Sequence, residues 1–383
     1  MSLQRIVLRR KGHTLGLLIV TLTTFVYVTM VSKSLELASV VPKYFVVFTC
    51  NESTSNTLHQ PEPSILPPLV STRKIINEVP RHISNVSDLA YPIMLWNNYL
   101  INNPDLCKMA ANISVLIVVK TNPLNFERRS IIRDTWTNTT YFQHLGVIRV
   151  LFLMGIAQNE TIQENISREF HEHLDILQGN FMDTYRNLTN KGVMGLRWIT
   201  ENCMQAKMIV KVDDDVVLDT YKLLEIIYPM YETKTRYILC NTFMHGKAPI
   251  VRDVKHKWYV KDSELKNIGL LDKKIYPPYC SGFTVILGTD LIPAMFGIAH
   301  VTQFFWVDDV YMYGLLPLKA GRIDYYSLAS NYTFIYQDAM KCFSSTSTCN
   351  ILSVAETKTH EMRYVWNMIQ SYHLKQQMPQ KEK

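Results

Sequence analysis

The pattern of apolar and polar positions changes character twice along this chain. Residues 15–31 form one apolar run of 17 residues, with no charge from Thr14 to Ser32. Residues 34–108 lose that continuity and carry Pro42, Pro61, Pro63, Pro67, Pro68, Pro80, Pro92 and Pro104 among many Ser, Thr and Asn, the composition of an extended linker. Within it, Trp96 and Tyr99 need burial, so 91–100 is expected to dock on the folded part. From 114 onward, short β-branched runs alternate with stretches at helical spacing. The runs 114–120, 147–155 and 209–212 are largely apolar, broken inside only by Arg149 and Lys211, as strands of a parallel sheet covered on both faces should be. Shorter strands are predicted at 175–177 and 236–240. Helices are predicted at 125–136, 158–173, 189–203, 221–231, from 310 to about 316, and as a closing element at 362–372. This alternation predicts an α/β domain, and no internal repeat is seen.

The apolar run at 15–31 is near the short limit for a spanning helix. It ends in Tyr27, Val28, Thr29, Met30 and Val31 rather than small residues, which favours an uncleaved signal anchor over a cleaved signal peptide. Arg5, Arg9, Arg10 and Lys11 precede it, so the N-terminus should stay cytosolic and the rest should be lumenal. A short span suits the thinner membranes of the early secretory pathway. The reading by segments is a cytosolic tail at 1–14, the anchor at 15–32, a stem at 33–108, the main domain at 109–375 and a polar tail at 376–383. Acceptor patterns for N-glycosylation at Asn51, Asn85, Asn112, Asn138, Asn159, Asn165, Asn187 and Asn331 fit a lumenal address. So do seven cysteines, all beyond the anchor. The expected pairs are Cys107–Cys203, Cys240–Cys280 and Cys342–Cys349. Cys50 is then left in the stem, available to link two chains into a homodimer.

With 383 residues and 47% hydrophobic content, the chain can build one large domain or two ordinary ones. Its net charge of +7 owes +4 to the four cations before the anchor, and the remaining +3 is spread without basic blocks. That excludes a nucleic-acid binder.

The candidate chemistry centres on the strand at 209–212, which ends in Asp213, Asp214 and Asp215. Ligands of α/β sheets collect at the carboxyl ends of strands, and three adjacent acids there need a cation or solvent. Hard divalent ions take oxygen ligands and are often shared with substrate phosphates. The pattern therefore reads as a metal site for a diphosphate or as a solvated acidic loop. The EF-hand loop is excluded, because its Gly and Glu spacing is missing. Arg129 and Arg133, four apart on one helix, either grip a diphosphate or pair with acids. Trp258 and Tyr259 form either a wall for a sugar ring or ordinary strand packing. Tyr276 to Gly282 reads as a rigid turn entering a strand, where Gly282 permits close approach of a ligand to the backbone. Asp308 and Asp309 follow the apolar Phe304, Phe305, Trp306 and Val307. They either cap a helix or supply a desolvated general base, with Asp308 near the cap and Asp309 facing a cleft.

Taken together, five motifs resemble the β-1,3-galactosyltransferase family, relatives of the β-1,3-N-acetylglucosaminyltransferases and of Fringe. They are Arg128-Arg129 with Ile132 to Trp136, Phe181 to Thr189 with Gly195 to Trp198, Lys211 to Asp215, Tyr276 to Gly282, and Asp308 to Tyr311. The resemblance implies a GT-A type, Rossmann-like nucleotide-sugar domain that transfers a sugar from a UDP-sugar, UDP-galactose by preference, to the 3-hydroxyl of a glycan acceptor on protein or lipid; the alternatives are a β-1,3-N-acetylglucosaminyltransferase using UDP-GlcNAc, or a catalytically weak lumenal protein that binds glycans or assists a transferase. It implies inversion, Mn²⁺, and a type II protein of the Golgi membrane. By motif match, Asp215 is the lead metal ligand, with Asp213 and Asp214 supporting it or holding the ribose. Arg129 and Arg133 serve the nucleotide, Asp309 is the base with Asp308 in reserve, and Trp258, Tyr259, Tyr279 and Gly282 line the sugar sites. The chain departs from the family at Thr137, Val217 and Ala355. Ala355 stands where a His often completes the metal shell, with Glu356 and His360 as candidates to replace it.

If 15–31 is an uncleaved anchor, the full-length protein resists extraction by alkaline carbonate and shrinks on glycosidase treatment. A soluble secreted form beginning just after Val31 as the main product contradicts the anchor.

Overall fold

The computed structural model describes residues 99–377, apart from 109, 111, 158 and 244–247. The anchor, most of the stem, Cys50, and the acceptor patterns at Asn51 and Asn85 lie outside these residues. Among the described residues no helix is long and apolar enough to cross a membrane.

The strands in chain order are β1 (Ile113–Lys120), β2 (Ile148–Ile156), β3 (Ile176–Met182), β4 (Ala206–Asp213), β5 (Val217–Leu218), β6 (Tyr237–Phe243), β7 (Tyr279–Gly288), β8 (Asp324–Ser327), β9 (Tyr332–Thr333) and β10 (Ser353–Val354). The helices are α1 (Phe126–Asp134), α2 (Glu160–His173), α3 (Leu188–Asn202), α4 (a helical stretch at 220–231 with a π turn), α5 (Asp262–Asn267), α6 (Ile292–Ala299), α7 (308–320, also with a π turn), α8 (Tyr336–Ser344) and α9 (Thr359–Gln377).

Seven strands form one mixed sheet in the order β3-β2-β1-β4-β7-β6-β8, in which β7 runs against both neighbours. A small sheet, β5-β10-β9, sits beside the end of β4. The continuous apolar runs follow from two-sided burial. Leu116, Val118 and Ile209 join one core with residues of α3, α6 and α7. Val115, Ile117, Val119, Val210 and Val212 join a second core with residues of α1, α4 and α9. Period-two alternation thus survives inside strands that look uniformly hydrophobic.

The three expected disulfides are present: Cys107–Cys203, Cys240–Cys280 and Cys342–Cys349. The first ties residues 99–108, read as the end of the stem, onto α3. There Ile101 is buried and bridges Gln178, and the Tyr99 hydroxyl donates to Glu201 (2.9 Å). Three local readings are corrected. The strand expected at 175–177 extends through Met182, because Gln178 bridges to Ile101 and Met182 pairs with Ile156. Residues 257–260 are a turn and not a strand. The helix expected from 310 already starts at Asp308.

The largest correction concerns α1. Arg129 is fully buried, and its guanidinium donates to Glu169 (2.6 and 2.8 Å) and to the carbonyl of Asn122 (2.8 Å). Arg133 donates to Glu169 (2.7 Å) and Asp175 (2.7 and 2.8 Å). These arginines bolt α1 to α2, to the start of β3 and to the loop after β1, and neither lines the cleft at the strand ends. Burial alone would raise the Glu169 carboxyl, but Arg129 and Arg133 hold it below its ordinary range. Arg129→Met leaves Glu169 short of a partner and should cost about 3–5 kcal/mol in chemical unfolding. UDP affinity per folded molecule should stay unchanged. Loss of UDP binding at full stability contradicts this structural role.

Candidate active site

The carboxyl ends of β1 and β4 lie side by side, with Lys120 in register with Asp213. Above them opens a cleft of about 470 Å³, within the usual range for a small-molecule site. Lys120, Thr121, Asn122 and Asn125 line it from the first strand and its loop. Asp213, Asp214 and Asp215 enter from β4, Asp183 to Tyr185 from the end of β3, Leu188 and Lys191 from α3, and Asp308 and Asp309 from α7. The two acidic clusters found in the sequence therefore meet in one cavity.

The three acids of β4 have different surroundings. Asp214 is buried and consumed by donors: Thr121 Oγ1 (2.6 Å), Asn125 Nδ2 (2.8 Å) and Arg128 Nη1 (2.9 Å). It anchors the loop after β1 and is not free to bind a ligand. Asp213 accepts from Lys211 Nζ (2.6 Å), which also donates to the Gly282 carbonyl. Asp215 has no comparable partner. Its side chain is 35% exposed and the nearest cation, Arg128, stands at 4.0 Å. Burial, then the charges of Asp213 and Asp214, push its carboxyl up to about 6. A carboxylate crowded by like charges and facing open space is one that a cation would stabilise.

The second cluster is also split. Lys120 Nζ donates to Asp308 Oδ2 at 2.6 Å. Burial opposes the charge on Asp308, but Lys120 and Lys211 hold its carboxyl below the ordinary range. Asp309 accepts instead from the backbone N–H of Gly282 (2.9 Å). A Cβ at position 282 would stand 1.9 Å from Asp309 Oδ1, so glycine is required there to admit the carboxylate. Burial, then Asp308, push Asp309 up to about 7. A further pair, Lys191 with Asp183 (3.0 Å), sits on the cleft wall, where Lys191 also donates to the Thr121 carbonyl (2.6 Å).

Six carboxylates (Asp183, Asp213, Asp214, Asp215, Asp308 and Asp309) thus face four cations (Lys120, Lys191, Lys211 and Arg128), an excess of two negative charges. Among the described residues no group of three His, Cys, Asp or Glu is arranged to enclose a metal. Ala355 is buried beside the acid turn, and neither Glu356 nor His360 lines the cleft. The donor set suits an ion that completes its shell with substrate oxygens, as Mg²⁺-like ions do, and not one held by the protein alone.

The residues expected on the sugar side are placed unevenly. Gly282 touches Asp309. Trp258 is 46% exposed, and its indole N–H donates to the Tyr185 hydroxyl (2.8 Å) at the cleft wall. Tyr279 stacks on Phe243 and lies near enough to Asp309 that burial and that charge push its phenol up to about 12. None of the four residues expected on the sugar side, Trp258, Tyr259, Tyr279 and Gly282, lines the cleft itself. Sequence reasoning missed Arg128, Asn125, Lys120, Lys191, Asp183 and Tyr185. The available signal was a lysine at the end or in the middle of an apolar strand, as at Lys120 and Lys211.

A family model described as Galactosyltransferase matches residues 127–328, more than half of the chain. Beta-1,3-galactosyltransferase 1 of Homo sapiens is 28% identical over 275 residues, which cover 71% of this chain and 78% of that protein. Lactosylceramide 1,3-N-acetyl-beta-D-glucosaminyltransferase A of Danio rerio is 31% identical over 230 residues, 58% of each chain. N-acetyllactosaminide beta-1,3-N-acetylglucosaminyltransferase 2 of Homo sapiens is 28% identical over 309 residues, 78% of this chain and 74% of that one. The matched span contains both acidic clusters and every cation that balances them, except Lys120. The chain belongs to the galactosyltransferase family and is a hexosyltransferase.

Proposed function

We propose that this chain is an inverting β-1,3-glycosyltransferase of the GT-A type. It moves galactose from UDP-galactose to the 3-hydroxyl of an acceptor sugar on a glycoprotein or glycolipid. The observation that carries the reading is the division of the cleft. One crowded carboxylate, Asp215, whose nearest cation stands at 4.0 Å, lies on the β4 side, and one desolvated, protonatable carboxylate, Asp309, stands on the α7 side.

In a single displacement Asp309 accepts the proton of the acceptor 3-hydroxyl as its oxygen bonds to the anomeric carbon. The bond from that carbon to the UDP oxygen breaks, and its electron pair leaves with UDP. A carboxylate raised toward neutrality is matched to this task, whereas Asp308, held ionised by Lys120, is a weaker base. Asp215 is the residue that would hold Mn²⁺, with Asp213 next to it. When bound, the ion neutralises charge developing on the leaving diphosphate. Asp214 and Arg128 keep the floor of the site in place. Trp258 and Tyr185 offer aromatic surface for the acceptor at the mouth. A galactose donor is favoured by the run Asp183 to Trp198. The names of the two relatives from the N-acetylglucosaminyltransferases make UDP-N-acetylglucosamine the second candidate, and a donor screen decides between them. The lumenal, type II Golgi placement completes the proposal, supported by three disulfides in the folded part.

Two substitutions separate the roles. Asp309→Asn should keep Mn²⁺ and UDP-sugar affinity near wild type while transfer falls roughly 10²–10⁴-fold. Asp215→Asn should lose Mn²⁺-dependent UDP binding and transfer together. If Asp309→Asn loses UDP binding, the second cluster belongs to the donor site and the division is wrong.

The pH profile supplies an independent check. The active form is ionised Asp309, pushed up to about 7. Transfer should therefore rise with pH through about 7 and fall below it as Asp309 takes up a proton. A flat profile from pH 5 to 8 contradicts the assignment.

A further inference from the structure

Lys120 and Asp308 are 188 positions apart, yet the ammonium and the carboxylate meet at 2.6 Å on the cleft floor. Lys120 ends β1, a strand that is otherwise apolar, and only 5% of it is exposed. Burial alone would lower an amine there; the Asp308 carboxylate raises it instead. Arg129 and Asp214 each make several hydrogen bonds that hold the loop after β1. Lys120 makes no contact with the loop after β1 that compares with theirs, and its ammonium is aimed at the acid next to the base.

Two adjacent carboxylates in a partly desolvated site rarely ionise together at neutral pH, and the cation nearest one of them decides which keeps the proton. Here the geometry is asymmetric. Asp308 has an ammonium, and Asp309 has one backbone N–H from Gly282. The other groups around Asp309 are already engaged. From β4, Lys211, held by Asp213 and the Gly282 carbonyl, favours the charged form of Asp309, and the Asp213 carboxylate opposes it. From β7 and α7, the Tyr279 and Tyr313 phenols are pushed up first by burial. Tyr185 is raised likewise and is bonded to Trp258.

We propose that Lys120 is a positioning residue that acts through Asp308. It fixes the negative charge of the pair on Asp308 and leaves Asp309 as the member that takes up and gives up the proton. The inference rests on Asp309 being the base. It adds that the working pH of transfer is set by Lys120 through its ion pair with Asp308, and that Asp308 acts as a fixed anion and not as a reserve base.

The test is the pH dependence of kcat for wild type, Asp308→Asn, and the double variant Lys120→Met/Asp308→Asn. Removing the fixed anion leaves Lys120 free to favour ionised Asp309, so the acidic limb of Asp308→Asn should move down by about one pH unit or more. Removing Lys120 as well takes that help away, so the limb of the double variant should lie between Asp308→Asn and wild type. A limb for Asp308→Asn at or above the wild-type position overturns the proposal. So does a double variant that falls below Asp308→Asn or above wild type. If Asp308→Asn does not fold because Lys120 is stranded, the double variant decides alone: a limb below wild type supports the proposal, and one at or above it overturns the proposal. Asp309→Asn tells the two levels apart. If it keeps full transfer, the base assignment itself has failed. If it is inactive while the limbs do not move, only the role of Lys120 has failed.

Discussion

Six carboxylates are gathered at one end of a seven-stranded sheet, and that crowd of like charges is the constraint on which the rest depends. Left unbalanced, it would oppose folding. The chain balances it pair by pair. Arg128 and the side chains of the loop after β1 take Asp214, Lys211 takes Asp213, Lys191 takes Asp183, and Lys120 takes Asp308. Two are left without a cation of their own, Asp215 and Asp309. They face the same cleft from opposite elements, and both are pushed up from the ordinary carboxylate range, to about 6 and about 7. The chemistry is thus defined by which acids the fold declines to neutralise.

The scaffold explains why the arrangement holds. Buried Arg129 locks α1 to α2 and fixes the loop after β1, that loop holds Asp214, and Asp214 with Arg128 sets the turn that presents Asp215. Behind that turn, the backbone N–H of Thr357 donates to the Asp215 carbonyl (2.8 Å), and β5 pairs with β10. On the other side, β7 runs against its neighbours and brings Gly282 to the point where Asp309 needs room. Rigid elements hold both free acids, which is what preorganised catalysis requires.

Much of this was legible in the sequence, because strands covered on both faces read as apolar, β-branched runs, and the first acid cluster ends such a run; the second follows the apolar stretch Phe304 to Val307, which is not a strand. The three cysteine pairs are the expected ones, although spacing alone singles out only the near neighbours Cys342 and Cys349. The arginines were misread for a physical reason. Spacing shows that Arg129 and Arg133 share a helical face, but not whether that face looks into the cleft or into the protein. The acids that settle it, Glu169 and Asp175, come from a different helix and strand edge. Arg128, one position earlier and on another face, reaches Asp214. The roles within Asp213, Asp214 and Asp215 were likewise beyond the sequence, since they depend on donors up to 93 positions away. Residues 257–260 are a turn where an aromatic edge was one reading, because an alternation of only four residues does not define a strand.

The central claim is that only two carboxylates in this cleft are left without a cation and titrate near neutrality. The most direct measurement is a carboxyl-carbon NMR titration of the metal-free protein with labelled aspartate, repeated on Asp215→Asn and Asp309→Asn. The account predicts one resonance titrating at about 6 that disappears in the first variant and one at about 7 that disappears in the second. Absence of any carboxyl titrating above the ordinary range, or assignment of those two resonances to other residues, would contradict it.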